Sequence, residues 1–348
     1  MDPCRGRAAV RDTVRAGVSQ TTGDRLLPGR GRGPGVRGEV FDELDFRVLR
    51  EVWVGSGLFF RSDRVSLEQV ARALGVHRST VAARLAKWER NGALLGWSIE
   101  LEPGAVGLVA AHVQFHARAA DLRRAVEVAV LVEGVRSVAT MDSDWVGVLL
   151  FADDAASLER TLDLLRALFQ PSEELRVVDT HAMFPEVQPM PLRALDVRLL
   201  MALQEDARQS PARLAGRLGV AKRTVERRLA HLQAKGVYFV MPRIHPADLR
   251  GMVNGSVTFT LPEKGRTAVV RQVLAAAPEH FVRQLEGPVG MLGLYAPSNA
   301  ALGKVVEGLR AVQGVSDVRL RFFQWMRLAP GFPAWLGTRL ERRARDQG

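Results

Sequence analysis

The sequence predicts an α+β chain in which one plan is laid down twice: three short helices, then a βαββαβ run. Three observations predict it. First, residues recur at a fixed offset of 144 positions. Leu74-Gly75-Val76 is answered by Leu218-Gly219-Val220, Thr80-Val81 by Thr224-Val225 and Arg84-Leu85-Ala86 by Arg228-Leu229-Ala230. Gly92, Val113, Phe115 and Leu150 return as Gly236, Val257, Phe259 and Leu294. A solenoid unit ends near roughly 50 residues, so each copy is a whole module. Second, apolar residues at helical spacing open each copy. Third, short apolar or alternating runs bounded by turn signals fill the rest.

Taken in chain order, residues 1–40 hold eight arginines among many glycines and cannot supply a core. They read as a disordered basic tail. A first helix over 42–54 sets Leu44, Val48, Leu49 and Val52 on one face, and 195–203 repeats it with Leu195, Leu199, Leu200 and Leu203. A second helix starts at Ser66 with Gln69 three residues on, a capping box; its counterpart starts at Ser210 with Pro211 in the first helical position. Both run into Leu-Gly-Val and then a third helix.

The strands of the first copy fall at 109–116, 135–141, 145–151 and 175–184, with helices at 120–133 and 155–169. Those of the second fall at 253–261, 281–286, 289–295 and 315–326, with helices at 265–277 and 299–312. This is the order of a ferredoxin-like sandwich, which leaves one sheet face open. Three prolines in 185–193 mark a linker. The expected division is a tail (1–40), a helix-turn-helix unit (41–105), a ferredoxin-like domain (106–185) and a Pro-rich linker (186–193). A second helix-turn-helix unit (194–249), a second ferredoxin-like domain (250–330) and a basic C-terminal tail (331–348) follow.

Composition narrows the function. At 348 residues and 47% hydrophobic content the chain can bury more than one core. Nothing approaches an 18-residue uncharged apolar run, so no membrane span is expected. The N-terminal arginines lack an apolar region of the secretory type. The single cysteine, Cys4, can form neither an intrachain disulfide nor a cysteine-based zinc site, which suits a reducing cytoplasm.

A net charge of +11 points to a polyanionic partner. Residues 208–243 carry nine Lys/Arg against one acid, and 61–92 carry seven against three. Residues 250–330 carry ten against five, and by contrast 109–190 carry seven against thirteen. Positive charge therefore sits on particular modules, most densely on 208–243.

The segments from Val65 to Gly92 and from Gln209 to Gly236 resemble winged helix-turn-helix modules. Buried Val70, Leu74, Val81 and Leu85 would fix two helices across the turn, leaving the third to show polar side chains. Those are His77, Arg78, Ser79, Thr80 and Arg84 in the first copy, and Lys222, Arg223, Thr224, Arg227 and Arg228 in the second. A helix fits the major groove, where Arg pairs with guanine and other cations meet phosphates. These ten residues are the expected contacts to double-stranded DNA.

With the strand after each triplet leading through Pro103 or Pro246 into the first sheet strand, each half resembles the leucine-responsive and asparagine regulator family, Lrp/AsnC. The resemblance implies a winged helix-turn-helix followed by a βαββαβ (RAM-type) sensing domain, pairing through open sheet faces, and a small effector of amino-acid type. It also places the effector site near the turn Asp142, Ser143, Asp144 and Trp145. Where the family has a Gly-Asp-Tyr-Asp-like run, this chain has Met141 to Trp145 in copy one and Glu286 to Gly290 in copy two, the latter without either aspartate.

Within one chain the two halves are expected to pair as an internal pseudo-dimer, open to further self-association, with unequal recognition helices. No Ser-His-Asp order, Walker loop or dinucleotide fingerprint is present. The expectation is a transcriptional regulator without cofactor or metal, and not an enzyme. The alternative within the same superfamily is a siroheme decarboxylase of haem biosynthesis. It draws attention to His112, His116 and His181, which alternation puts on the open sheet face; Ser256 and Thr260 replace the first two in copy two.

Overall fold

Ser66 and Ser210 each start a helix that ends on a left-handed glycine. Ser66 Oγ accepts the Gln69 N–H at 3.1 Å, and Gln69 Oε1 accepts the Ser66 N–H at 3.0 Å. Ser210 Oγ accepts the Arg213 N–H, with Pro211 at the first helical position. Gly75 (φ 67°) and Gly219 (φ 68°) close these helices in a conformation that costs other residues strain. The sequence signals are therefore realised as local hydrogen bonds. The computed structural model describes residues 40–54, 66–180, 189–244, 250–278, 280–285 and 287–346.

The first triplet is α1 (Glu43–Val54), α2 (Leu67–Leu74) and α3 (Arg78–Arg90), followed by β1 (Leu94–Leu101). Then come β2 (Val109–His116), α4 (Leu122–Ala129), β3 (Val135–Met141), β4 (Trp145–Ala152), α5 (Ala155–Phe169) and β5 (Glu173–Thr180). The same order returns as α6 (Ala194–Glu205), α7 (Pro211–Leu218), α8 (Lys222–Ala234) and β6 (Tyr238–Ile244). It continues with β7 (Val253–Thr260), α9 (Arg266–Ala276), β8 (His280–Gln284), β9 (Val289–Ala296), α10 (Asn299–Arg310) and β10 (Ser316–Leu328). A final helix, α11 (Phe332–Asp346), ends the described chain.

The strands form one eight-stranded sheet, ordered β5-β2-β4-β3-β10-β7-β9-β8, with every paired neighbour antiparallel. Each half supplies four strands. The halves fuse because β10 is 13 residues long: its first part pairs with β7 and its last part with β3, with Phe323 opposite Met141 and Leu328 opposite Ser137. The sheet also curls on itself, so that Gln114 on β2 reaches Ser256 on β7 at 3.4 Å and His112 reaches Gln284 on β8 at 2.8 Å. These two bonds tie β2 to β7 and β8 across the inner face of the curl. The β3–β10 ladder is a finding that patterning within either half does not specify.

β1 does not fold back as a wing hairpin within its own half. It pairs antiparallel with β6, from Leu94 opposite Ile244 to Leu101 opposite Tyr238. This crosses the packing. The α1–α3 core includes Phe239, Ile244 and Tyr295 from the other half. The α6–α8 core is continuous with Ile99, Leu101 and the β2–β5 layer.

Two boundaries differ from the sequence reading. The expected basic tail after residue 331 is α11, whose Phe332, Leu336 and Leu340 are buried. Their i, i+4 spacing was hidden by Arg339, Arg342, Arg343 and Arg345, which read as a solvated run. Leu192, inside the expected linker, is also buried, and the Met190 N–H donates to the Ala105 carbonyl at 3.0 Å. The expected N-terminal tail falls, up to residue 39, outside the described residues. Among the described residues no helix is long and apolar enough to cross a membrane.

Candidate nucleic-acid interface

Each third helix is locked to the first helix of its triplet by a buried aspartate. Asp196 on α6 is fully buried and takes Arg228 of α8 in a fork: Nε to Oδ1 at 2.7 Å and Nη2 to Oδ2 at 2.6 Å. Asp45 on α1, equally buried, holds Arg84 at 3.0 Å, Lys87 Nζ at 3.0 Å and Trp88 Nε1 at 3.0 Å from α3. Arg84 also bonds Asp42 at 2.5 Å. Burial raises the Asp42 carboxyl, but the Asp45 N–H and the Arg84 guanidinium outweigh it and hold the acid below its ordinary range. A charge removed from water persists only if its hydrogen bonds are met, and these are.

Two members of the expected DNA-contact set are thus held by carboxylates of their own modules. Arg84 and Arg228 are ion-paired inside their modules, not displayed. The sequence held the signal, because Asp45 and Asp196 each interrupt the buried face of an otherwise apolar helix. A second pair of arginines repeats too: Arg47 donates to the Leu74 carbonyl at 3.2 Å and Arg198 to the Leu218 carbonyl at 2.8 Å, closing the ends of α2 and α7.

The other candidates divide unequally. On α8, Lys222, Arg223 and Arg227 are exposed and Thr224 is half-buried. Lys222 lies 3.3 Å from Glu226 one turn on, an exposed pair that costs the surface little charge. Among the described residues neither Arg223 nor Arg227 has an ion-pair partner, and Arg213 on α7 is exposed as well. On α3, Arg78 is exposed, but His77 and Ser79 bond each other, Nδ1 to Oγ at 2.7 Å, and cap the helix start. Thr80 is half-buried, and Ala83 stands exposed where α8 has Arg227.

The expected effector turn is occupied by protein. Asp142 adopts φ 49° and exchanges two hydrogen bonds with the backbone of Phe322 on β10, its N–H donating at 2.9 Å and its Oδ1 accepting at 3.0 Å. Ser143 is exposed. Asp144 Oδ2 meets His116 Nε2 at 2.9 Å, and Trp145 stacks on His116 at 5.3 Å and under the Arg321 guanidinium at 3.6 Å. His116 Nδ1 also bonds Ser172 Oγ at 2.5 Å.

Of the histidine trio, His112 and His116 do lie on the face turned toward the second half. Burial pushes the His112 imidazole below its ordinary pKa, while Gln284 partly opposes the shift. His181 is outside the described residues. Among the described residues no group of three His, Cys, Asp or Glu is arranged to hold a metal ion.

Comparison with known proteins separates the pieces. Residues 194–233, which span α6 to most of α8, match the AsnC-type helix-turn-helix domain. No curated protein matches the chain. Among solved structures, the siroheme decarboxylase NirDL superposes with a TM-score of 0.52 at 14% identity, covering 86% of this chain and 99% of its own. Escherichia coli AsnC is 19% identical over 44% of this chain and 99% of its own, with a TM-score of 0.29. The Mycobacterium tuberculosis leucine response regulatory protein LrpA is 23% identical over 40% and 94%, with a TM-score of 0.28.

The expectation that the chain is not an enzyme is thereby overturned: the architecture spanning most of it is one on which an enzyme is built. At that identity the likeness establishes the fold alone. What the chain carries by sequence is an AsnC-type helix-turn-helix domain in α6–α8, set within a fold shared over most of its length with siroheme decarboxylase.

Proposed function

We propose that the protein is a sequence-specific DNA-binding transcriptional regulator made of two Lrp/AsnC-like halves, duplicated in one chain and paired as an internal pseudo-dimer. The observation that carries this reading is the α8 surface. An AsnC-type helix-turn-helix displays Arg223 and Arg227, which have no ion-pair partner among the described residues, while Arg228 turns inward and neutralises the buried Asp196. Nine cations against one acid surround it in sequence. Such a surface neutralises phosphates, and binding weakens steeply with salt as counterions are released.

Because α3 displays Arg78 where α8 displays three cations, the two modules read different half-sites. The operator is then asymmetric, in place of the palindrome that identical subunits require. Selection of bound fragments from randomised duplex DNA tests this directly. The reading requires an enriched, non-palindromic motif bound by the full chain in a gel shift. Recovery of no motif, or equal binding by Arg223→Ala/Arg227→Ala, overturns it.

A second reading rests on the fold shared with siroheme decarboxylase and on the polar layer between the curled sheets, where His112 and His116 lie. Here siroheme is the substrate. Incubating it with the protein and following absorbance and product mass distinguishes the two: loss of carboxylate mass supports catalysis, and an unchanged spectrum removes this reading.

A further inference from the structure

The outer helical layer of the first half carries a surface that its counterpart lacks. Buried Ala125, Val126, Ala129 and Val130 turn α4 onto the sheet, and Leu158, Leu162, Leu165 and Phe169 do the same for α5. The opposite stripes face solvent. On α4 the stripe runs Arg124, Val128 and Leu131, the last held in register by its N–H to the Val128 carbonyl at 2.9 Å. On α5 it runs Arg160, Leu164 and Ala167, again at the i, i+4, i+7 spacing of one helix face. Leu131 is 72% exposed and Leu164 61%, whereas Val40, Leu95 and Phe322, exposed apolar residues elsewhere, stand singly on other elements. In the second half, 144 positions on, Val128, Leu131 and Leu164 are answered by Gln272, Ala275 and Gly308. The same layer therefore folds without showing large apolar groups to water.

Two backbone bonds make α4 and α5 run antiparallel. The Arg118 N–H, ahead of α4, donates to the Phe169 carbonyl at the end of α5 at 3.0 Å, and the Phe151 N–H, ahead of α5, donates to the Gly134 carbonyl beyond α4 at 2.8 Å. Arg123 and Arg124 are thus level with the later part of α5, where Asp163 lies, and Leu131 is level with its start, at the small exposed Ala155 and Ala156. The signs are segregated. On α4 the two guanidinia, 79% and 73% exposed, share one carboxylate, Glu127, at 3.5 and 3.9 Å. On α5 one guanidinium, Arg166, serves three carboxylates: Glu159, the 71% exposed Asp163, and Glu174 of β5. Arg160 bends to Ser157 Oγ at 2.9 Å, toward the helix start. A basic surplus on α4 therefore stands beside an acidic one on α5.

We propose that the α4–α5 layer is a twofold interface between two copies of this chain, with α4 of one lying along α5 of the other. Leu131 seats on Ala155 and Ala156 of the partner subunit, and Val128 and Leu164 are withdrawn from water with it. Arg123 and Arg124 reach Asp163 of the partner subunit, so that the basic surplus meets the acidic one. A twofold operator makes each contact twice, which requires a layer that is its own complement, and this one carries both signs and its own apolar stripe. Because the second half lacks that stripe, the assembly closes at two chains and does not grow into a filament. The interface lies on the outer helices of the first half, so it is independent of whether α8 binds DNA.

Sedimentation equilibrium of the full chain is the test. The protein is expected to dimerise below about 100 μM, and Leu131→Glu with Leu164→Glu to weaken association at least about tenfold while circular dichroism stays native. Charge reversal then reads the arrangement. Arg123→Glu/Arg124→Glu leaves both helices acidic, and Glu159→Lys/Asp163→Lys leaves both basic. Each variant alone opposes like charges and stays monomeric, and an equimolar mixture of the two restores the dimer. A merely structural effect of the substitutions would not be repaired by mixing two folded monomers. A chain that is monomeric at the same concentration leaves the layer to a different protein and overturns the proposal. So does a dimer that persists in folded Leu131→Glu/Leu164→Glu protein, or a mixture of the folded charge variants that fails to associate.

Discussion

The α1–α3 and α6–α8 triplets share a skeleton and differ in what they show. Both begin the middle helix on a serine, end it on a left-handed glycine and tie the third helix to a fully buried aspartate. Yet α8 presents Lys222, Arg223 and Arg227 to solvent, whereas α3 presents Arg78 and the small Ala83. Interior positions are held by packing and by buried hydrogen bonds whose loss would leave a partner unmet, so they change little without loss of stability. Exposed positions carry no such constraint and diverge.

The largest effect should come from the shared skeleton. Asp196→Ala leaves the half-buried Arg228 without its fork and should cost about 3 kcal/mol in urea unfolding. Asp45→Ala, which strands Lys87 and Trp88 and leaves Arg84 with Asp42 alone, should fall in the same range. A difference above about 2 kcal/mol between them would show that the two clamps are not equivalent. The display should separate the modules next. Arg223→Ala with Arg227→Ala should weaken operator binding by about 2–4 kcal/mol, read by fluorescence anisotropy at fixed salt, against about 1 kcal/mol for Arg78→Ala. Equal losses would break the proposed asymmetry.

Smaller effects refine the picture. Ser66→Ala and Ser210→Ala each remove a cap and should cost about 1 kcal/mol alike, because the second capping-box bond at Ser66 comes from its backbone N–H to Gln69 Oε1, which alanine retains. His112 supplies the last contrast, since its counterpart in the second half is Ser256. Its folded pKa lies below the ordinary 6.5, so the unfolded chain binds the proton more readily. Stability is thus whole above the ordinary value and falls as pH drops through it toward the folded value. Unfolding midpoints measured from pH 7.5 to 5 should show this decline, and His112→Gln should flatten it.

Much of the fold was legible because its signals are local. Caps, the Leu-Gly-Val turns and alternating strands name their own elements, and the repeat names the two halves. What escaped was non-local. Nothing in β10 announces that Phe323 to Leu328 will continue onto β3, because a strand's partner lies in sequence far away. α11 is masked in sequence because Arg339, Arg342, Arg343 and Arg345 outweigh the apolar stripe of Phe332, Leu336 and Leu340. At the candidate DNA surface, residue type suggested ten contacts but could not tell a displayed arginine from a clamped one. The buried acid opposite decides that, and Asp45 and Asp196 become visible as partners only when α1 and α6 are folded beside α3 and α8.

The long shared strand has a consequence for how the chain comes to exist. Asp142 and β3 have an unpaired edge until β10 arrives, and Phe322 follows Asp142 by 180 residues. At ribosomal speeds that is a wait of roughly 10–35 s. During it the first half exposes an incomplete sheet and its polar inner face, a state in which the edge of one nascent chain can pair with another. The two halves cannot be assembled in turn; the molecule closes only from its C-terminal end.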